Sequence, residues 1–79
     1  MKSRIYLTFD QNHVREPLIW KLAKEFDVVT NIRMAEVKDS MGLVGLEIEG
    51  ADDVVEAAIQ WIGEQGVQVS PIEQDVIEG

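Results

Sequence analysis

The 79 residues include no cysteine, which excludes a disulfide framework, a thiol nucleophile, cysteine-type zinc sites and a cysteine-ligated iron–sulfur cluster. Aromatic residues number only five. No uncharged run approaches the ~20 apolar residues that a membrane-spanning helix needs, and Met1-Lys2-Ser3 opens no signal peptide. The expectation is a soluble, cytoplasmic protein with no direct membrane insertion. Gly-x-Gly-x-x-Gly, Gly-Lys-Ser/Thr and Gly-x-Ser-x-Gly are all missing, so nucleotide binding and acyl transfer have no motif behind them. The length leaves room for one domain, which buries roughly 60% of its unfolded surface and has little stability to spare. A large exposed apolar face on such a domain calls for a partner.

Lysine and arginine stop at Lys38. Up to that point seven basic residues face five acidic ones, a net +2. From Asp39 onward ten acidic residues face none, a net −10. A phosphate-backbone binder needs clustered Lys and Arg to release counterions, so this distribution argues against DNA, RNA and anionic membrane surfaces.

What is present alternates. Ile5, Leu7 and Phe9 fall on one side of a stretch from Arg4 to Phe9, with Arg4, Tyr6 and Thr8 on the other, the period of a half-buried central strand. Asp10 to His13 forms a turn, and Glu16-Pro17 sets up a helix to about Phe26, with proline at its first position. Its apolar stripe is Leu18, Ile19, Leu22, Ala23 and Phe26. A second strand, rich in β-branched residues, runs from Val28 to Val37. Its inward set begins Val28, Thr30, Ile32, Met34, but Val37 has the other parity, which predicts a bulge or twist near Ala35. Asp39, Ser40 and Gly42 make a hairpin turn into a strand from Leu43 to Glu49.

A second helix starts at Asp52 or Asp53, where acidic side chains suit both capping and the helix dipole. It ends near Gln65 with Gly66 as its stop. Val55, Ala58, Ile59 and Ile62 form its core stripe, with Trp61 widening the arc. Val67 and Val69 open a last strand that Pro71 confines to an edge, and the acidic tail 73–79 is expected to fray.

The order strand, helix, strand, strand, helix, strand predicts an α+β fold, the ferredoxin-like βαββαβ two-layer sandwich: a four-stranded antiparallel sheet with both helices on one face. Right-handed crossovers place the first and third strands centrally. The other face stays bare and carries Tyr6, Thr8, Val29, Asn31, Arg33, Ala35, Leu43, Gly45, Glu47, Gln68 and Ser70. Its apolar share predicts a self-complementary two-fold contact, hence a homodimer, with a small-molecule site at the interface.

The reactive inventory is thin. His13 reads as a solvated loop residue, with Asp10 and Glu16 as turn and capping residues. Asp52, Asp53 and Glu56 lack the spacing of a calcium loop and read as helix-start chemistry. Gly45 either serves the strand alone or faces a partner chain or ligand. Trp20 is half-buried by lysine stems or touches a partner. Arg33 is placed to pair with Glu47 across neighbouring strands, although its fork also suits a free carboxylate. No catalytic residue, metal ligand or cofactor is expected.

Taken in order, Arg4-Ile-Tyr-Leu-Thr-Phe9, Glu16-Pro-Leu-Ile19, Phe26-Asp-Val-Val-Thr-Asn-Ile-Arg33, Gly42-Leu-Val-Gly-Leu-Glu-Ile-Glu-Gly50 and Ala58-Ile-Gln-Trp-Ile62 before Gly66-Val-Gln-Val69 resemble the NIL domain over nearly the whole chain. The resemblance implies an ACT-related regulatory domain, found at the C-terminus of methionine ABC-importer ATPases and beside four-iron ferredoxin modules. In the importer two such domains pair and methionine binds near their interface. By that analogy Asn31, Ile32, Arg33 and Met34, with Leu43, Val44, Gly45 and Leu46, are the candidate ligand or dimer surface. The alternative is a protein-interaction module that docks a ferredoxin or transporter partner and takes no small ligand.

Overall fold

The computed structural model describes residues 1–11 and 17–71. His13, Glu16 and the tail 73–79, expected above to be loop, helix-start and frayed residues, lie outside the described residues. The elements are β1 (Lys2–Phe9), α1 (Leu18–Glu25), β2 (Val29–Lys38), β3 (Met41–Glu49), α2 (Asp52–Glu64) and β4 (Gln68–Pro71). They form one antiparallel sheet of order β2-β3-β1-β4. This is the ferredoxin-like sandwich, with β3 and β1 central.

The core sits between sheet and helices. Ile5, Leu7 and Phe9 of β1 and Leu46 and Ile48 of β3 meet Leu18 and Leu22 of α1 and Val55, Ala58 and Ile62 of α2, all buried. Period two along the strands and three-to-four along the helices point these side chains to a common layer. Phe26 and Trp61 close one end, edge to face, with ring centroids 5.9 Å apart. Ala23 departs from the expected stripe: it is exposed. In the eight residues of α1, Leu18 and Leu22, one turn apart, are the buried ones, and Ile19 packs partly buried against the core beside them.

Pro17 lies one position earlier than expected, outside the helical turn with ψ 62°, and its carbonyl accepts the Lys21 N–H at 3.0 Å. At α2 the residue before the helix is Ala51, and no side chain caps it. Asp52 and Asp53 fall inside the first turn, so their role there is the dipole and not the cap. Asp52 also pairs with the Met1 amino group at 3.4 Å, while that amine donates to the Gly50 carbonyl at 2.7 Å. Gly66 stops α2 with φ 90° and its N–H reaches the Gly63 carbonyl at 3.1 Å, as in a left-handed C-terminal cap.

Two details of the β2–β3 hairpin differ from expectation. The turn consists of Asp39 and Ser40, with φ 52° and 67°, the two positive values that match a tight hairpin to the strand twist. Gly42 lies beyond it, buried within β3 opposite Phe9 and Val37. The bulge falls at Arg33, between the pairs Ile32–Leu46 and Met34–Gly45. It lies earlier than the expected position near Ala35, so Met34 moves to the open face and Ala35, opposite Val44, to the helix side. Among the described residues, no helix is long and apolar enough to cross a membrane.

Candidate functional site

Strand register arranges the open face of the sheet in rows. Val29, Glu49 and Lys2 form one; Asn31, Glu47 and Arg4 the next; then Met34, Gly45, Tyr6 and Ser70; then Glu36, Leu43, Thr8 and Gln68. One end of the face is therefore charged and its middle apolar.

The charged end is organised around Glu47. Although it lies on the uncovered face, only 8% of the residue is exposed, because three cations close over it. Arg4 Nε donates to Oε2 at 3.0 Å, Arg33 Nη1 lies 3.8 Å from the same oxygen, and Lys2 Nζ lies 3.9 Å from Oε1. The Arg4 hydrogen bond is the main cause that holds the Glu47 carboxyl below its ordinary range; desolvation opposes it, and the Lys2 and Arg33 charges reinforce it.

In the apolar middle, Met34 and Tyr6 lean together over Gly45. A Cβ built there would stand 2.8 Å from Met34 Cγ and 3.4 Å from Tyr6 Cε1, so the missing side chain is what lets both lie close over the β3 backbone. Tyr6, Met34 and Leu43 are each 36–37% exposed.

The eight candidate residues divide between faces. Asn31, Arg33, Met34, Leu43 and Gly45 belong to the open face. Ile32 is 52% exposed on the other side of β2, Val44 is partly buried against the core, and Leu46 is wholly buried. Val44 instead lines an apolar cleft of about 250 Å³ under the start of α1, with Phe9, Leu18, Ile19, Trp20 and Val37 among its other walls. A shallower cleft of about 510 Å³ lies at the hairpin end, between Thr8, Glu36, Lys38, Met41 and Leu43. Trp20 is 59% exposed, with Lys24 Nζ 4.7 Å from its ring centroid. The lysine stacks on one face of the indole and does not bury it.

Sequence reasoning paired Arg33 with Glu47 but missed Arg4 and Lys2. The outward parity of Arg4 beside Tyr6 and Thr8 was the available signal. Among the described residues no group of His, Asp or Glu is arranged to hold a metal ion, and no buried side-chain polar atom lacks a hydrogen-bond partner.

A model of the NIL domain matches residues 3–71. The chain belongs to the NIL domain family. Family membership places it among regulatory domains. The NIL fold here is similar to a solved structure described as the C-terminal domain of an ABC transporter/ATP-binding protein from Enterococcus faecalis. The TM-score is 0.79 at 19% identity, over 89% of this chain and 82% of that one. At that identity the likeness speaks to the NIL fold alone. No curated protein matches the chain.

Proposed function

We propose that residues 1–79 form one non-catalytic regulatory domain that pairs with a second copy through its open sheet face and binds a small amino acid there, with methionine the first ligand to test. The observation that carries this reading is the make-up of that face. Tyr6, Met34 and Leu43 lie exposed in the middle of a sheet whose other side is filled by helices. A monomer holds this patch in water, whereas a two-fold contact covers it. The bordering charges are of both signs, Arg33 and Lys2 against Glu49, which suits a zwitterion carrying an apolar chain.

Thermal unfolding against a panel of amino acids, with L- and D-methionine included, tests the ligand. At ~100 times its dissociation constant a ligand adds about 2.7 kcal/mol, a shift of roughly 10–20 °C in a domain of this size. A stereoselective rise is expected; no rise with any amino acid overturns the ligand half. A strictly monomeric mass by light scattering at micromolar concentration overturns the pairing.

A second reading rests on β2. Nine of its ten residues are exposed, Thr30 being half-buried, and as an edge strand it offers one unpaired row of backbone groups. An extended segment of a ferredoxin or transporter partner adds to such an edge by main-chain hydrogen bonds. This reading is favoured if the domain is monomeric and insensitive to amino acids.

A further inference from the structure

The bulge leaves Arg33 out of the strand ladder, since Ile32 faces Leu46 and Met34 faces Gly45. An extra residue of this kind has its side chain re-aimed. Here the guanidinium is carried across the open face to Glu47, where Nη1 stops 3.8 Å from Oε2. That distance makes an ion pair but is too long for a hydrogen bond. The hydrogen-bonding position on that oxygen is occupied by Arg4 Nε at 3.0 Å.

The partners differ in exposure. The Glu47 side chain retains 11% of its accessible surface, while Arg33 retains 56%. The carboxylate is covered, and the arginine that helps to cover it faces water. Glu49 lies two residues along β3 on the same face, opposite Lys2. Lys2, Arg4 and Arg33 all converge on the one carboxylate of Glu47, so Arg33 holds only a share of it. A guanidinium tethered by charge, with its planar fork still open, is suited to a second carboxylate. Next to it along β2 is Met34, which with Tyr6 forms the apolar shelf over Gly45.

The geometry points to a carboxylate-binding site on this face: Arg33 takes the acid group of a small amphipathic ligand, and the shelf of Met34 and Tyr6 seats its apolar chain. This rests on the ligand-binding reading above and names the residue that reads the ligand's acid group. Arg4 is committed to Glu47, and Lys2 offers a point charge where Arg33 offers paired donors.

The test is calorimetric titration of the full chain with three probes. L-methionine carries both charges, methylthiobutyrate keeps the carboxylate without the ammonium, and L-methioninamide keeps the ammonium without the carboxylate. The expected result is that both acids bind and the amide does not. Arg33→Leu, at an exposed strand position, should weaken both acids by at least about tenfold, and Arg33→Lys by less. Arg33→Leu binding the acids within about twofold of the parent overturns the assignment while leaving the ligand-binding reading in place. The amide binding as well as the acids overturns it equally. Arg33-dependent binding of methylthiobutyrate without any binding of L-methionine upholds the assignment and removes the amino-acid reading. A parent chain that binds none of the three overturns both.

Discussion

Arg4 Nε donates a 3.0 Å hydrogen bond to Oε2 of Glu47 across the β1–β3 pair, and this contact fixes how the charged end of the open face responds to acid. The bond favours the ionised carboxylate and outweighs the desolvation that opposes it, so the folded chain holds the proton off below the ordinary value of 4.5. The unfolded chain takes up that proton first. Stability from this cluster is therefore fully present above the unfolded value and is lost as pH falls through the lower, folded one. Glu47→Gln should lower the melting temperature at neutral pH, and the gap to the parent should close as pH falls below the unfolded value. Circular dichroism melts at neutral pH and pH ~3 check this; an equal gap at both would assign the loss to shape and not to charge.

The Asp39–Ser40 turn makes a prediction of the opposite sign. Both residues have positive φ, which costs a residue with a Cβ roughly 1–2 kcal/mol, whereas glycine takes that geometry freely at the expense of a more flexible unfolded chain. Ser40→Gly should stabilise the hairpin by a net ~0.5–1 kcal/mol. Urea unfolding reads this as a higher midpoint at unchanged slope.

Two glycines near the end of α2 should respond in opposite directions. Nothing lies within 4 Å of a Cβ built at Gly63, so Gly63→Ala should add ~0.5–1 kcal/mol through helix propensity. Gly66 sits at φ 90°, and Gly66→Ala should cost about 1 kcal/mol of strain. The pair brackets the parent by several degrees in a thermal melt.

How far the sequence carries depends on what fixes each feature. The inward faces of β1 and α2 and the order of the strands were legible, because burial imposes one period and the crossover rule allows one arrangement. The β2–β3 contact between Arg33 and Glu47 was also legible, since a short turn joins those strands and limits their register. Arg4 and Lys2 escaped notice as partners of Glu47 because no turn joins β1 to β3, so nothing local sets their register. The parity of Val37 calls for a bulge or twist in β2 but does not fix its position. Its place at Arg33 goes with the partner strand, where Gly45 leaves room for Met34 on the open face. Gly42 looked like a turn residue because it follows Asp39 and Ser40, yet its burial opposite Phe9 is a tertiary fact.

Helix α1 separates core from surface within two residues. Trp20 is 59% exposed and Leu22 wholly buried, although both are large and apolar. Trp20 keeps its contact with Lys24, centroid to Nζ 4.7 Å, which at an exposed site is worth ~0.5–1 kcal/mol. Leu22 fills the layer between α1 and the sheet, and removing its branched end costs its transfer energy plus a cavity, roughly 2–5 kcal/mol. A domain of 79 residues has only about 5 kcal/mol to lose. Trp20→Ala should therefore melt within a few degrees of the parent, while Leu22→Ala should be partly or wholly unfolded at room temperature. The tryptophan signal offers an independent check: in Trp20→Ala only Trp61 remains, half-buried and edge-on to Phe26, so its emission should lie to the blue of the parent's. Emission at the wavelength of free tryptophan would mean that the Phe26–Trp61 end of the core opens when α1 loses its outer face.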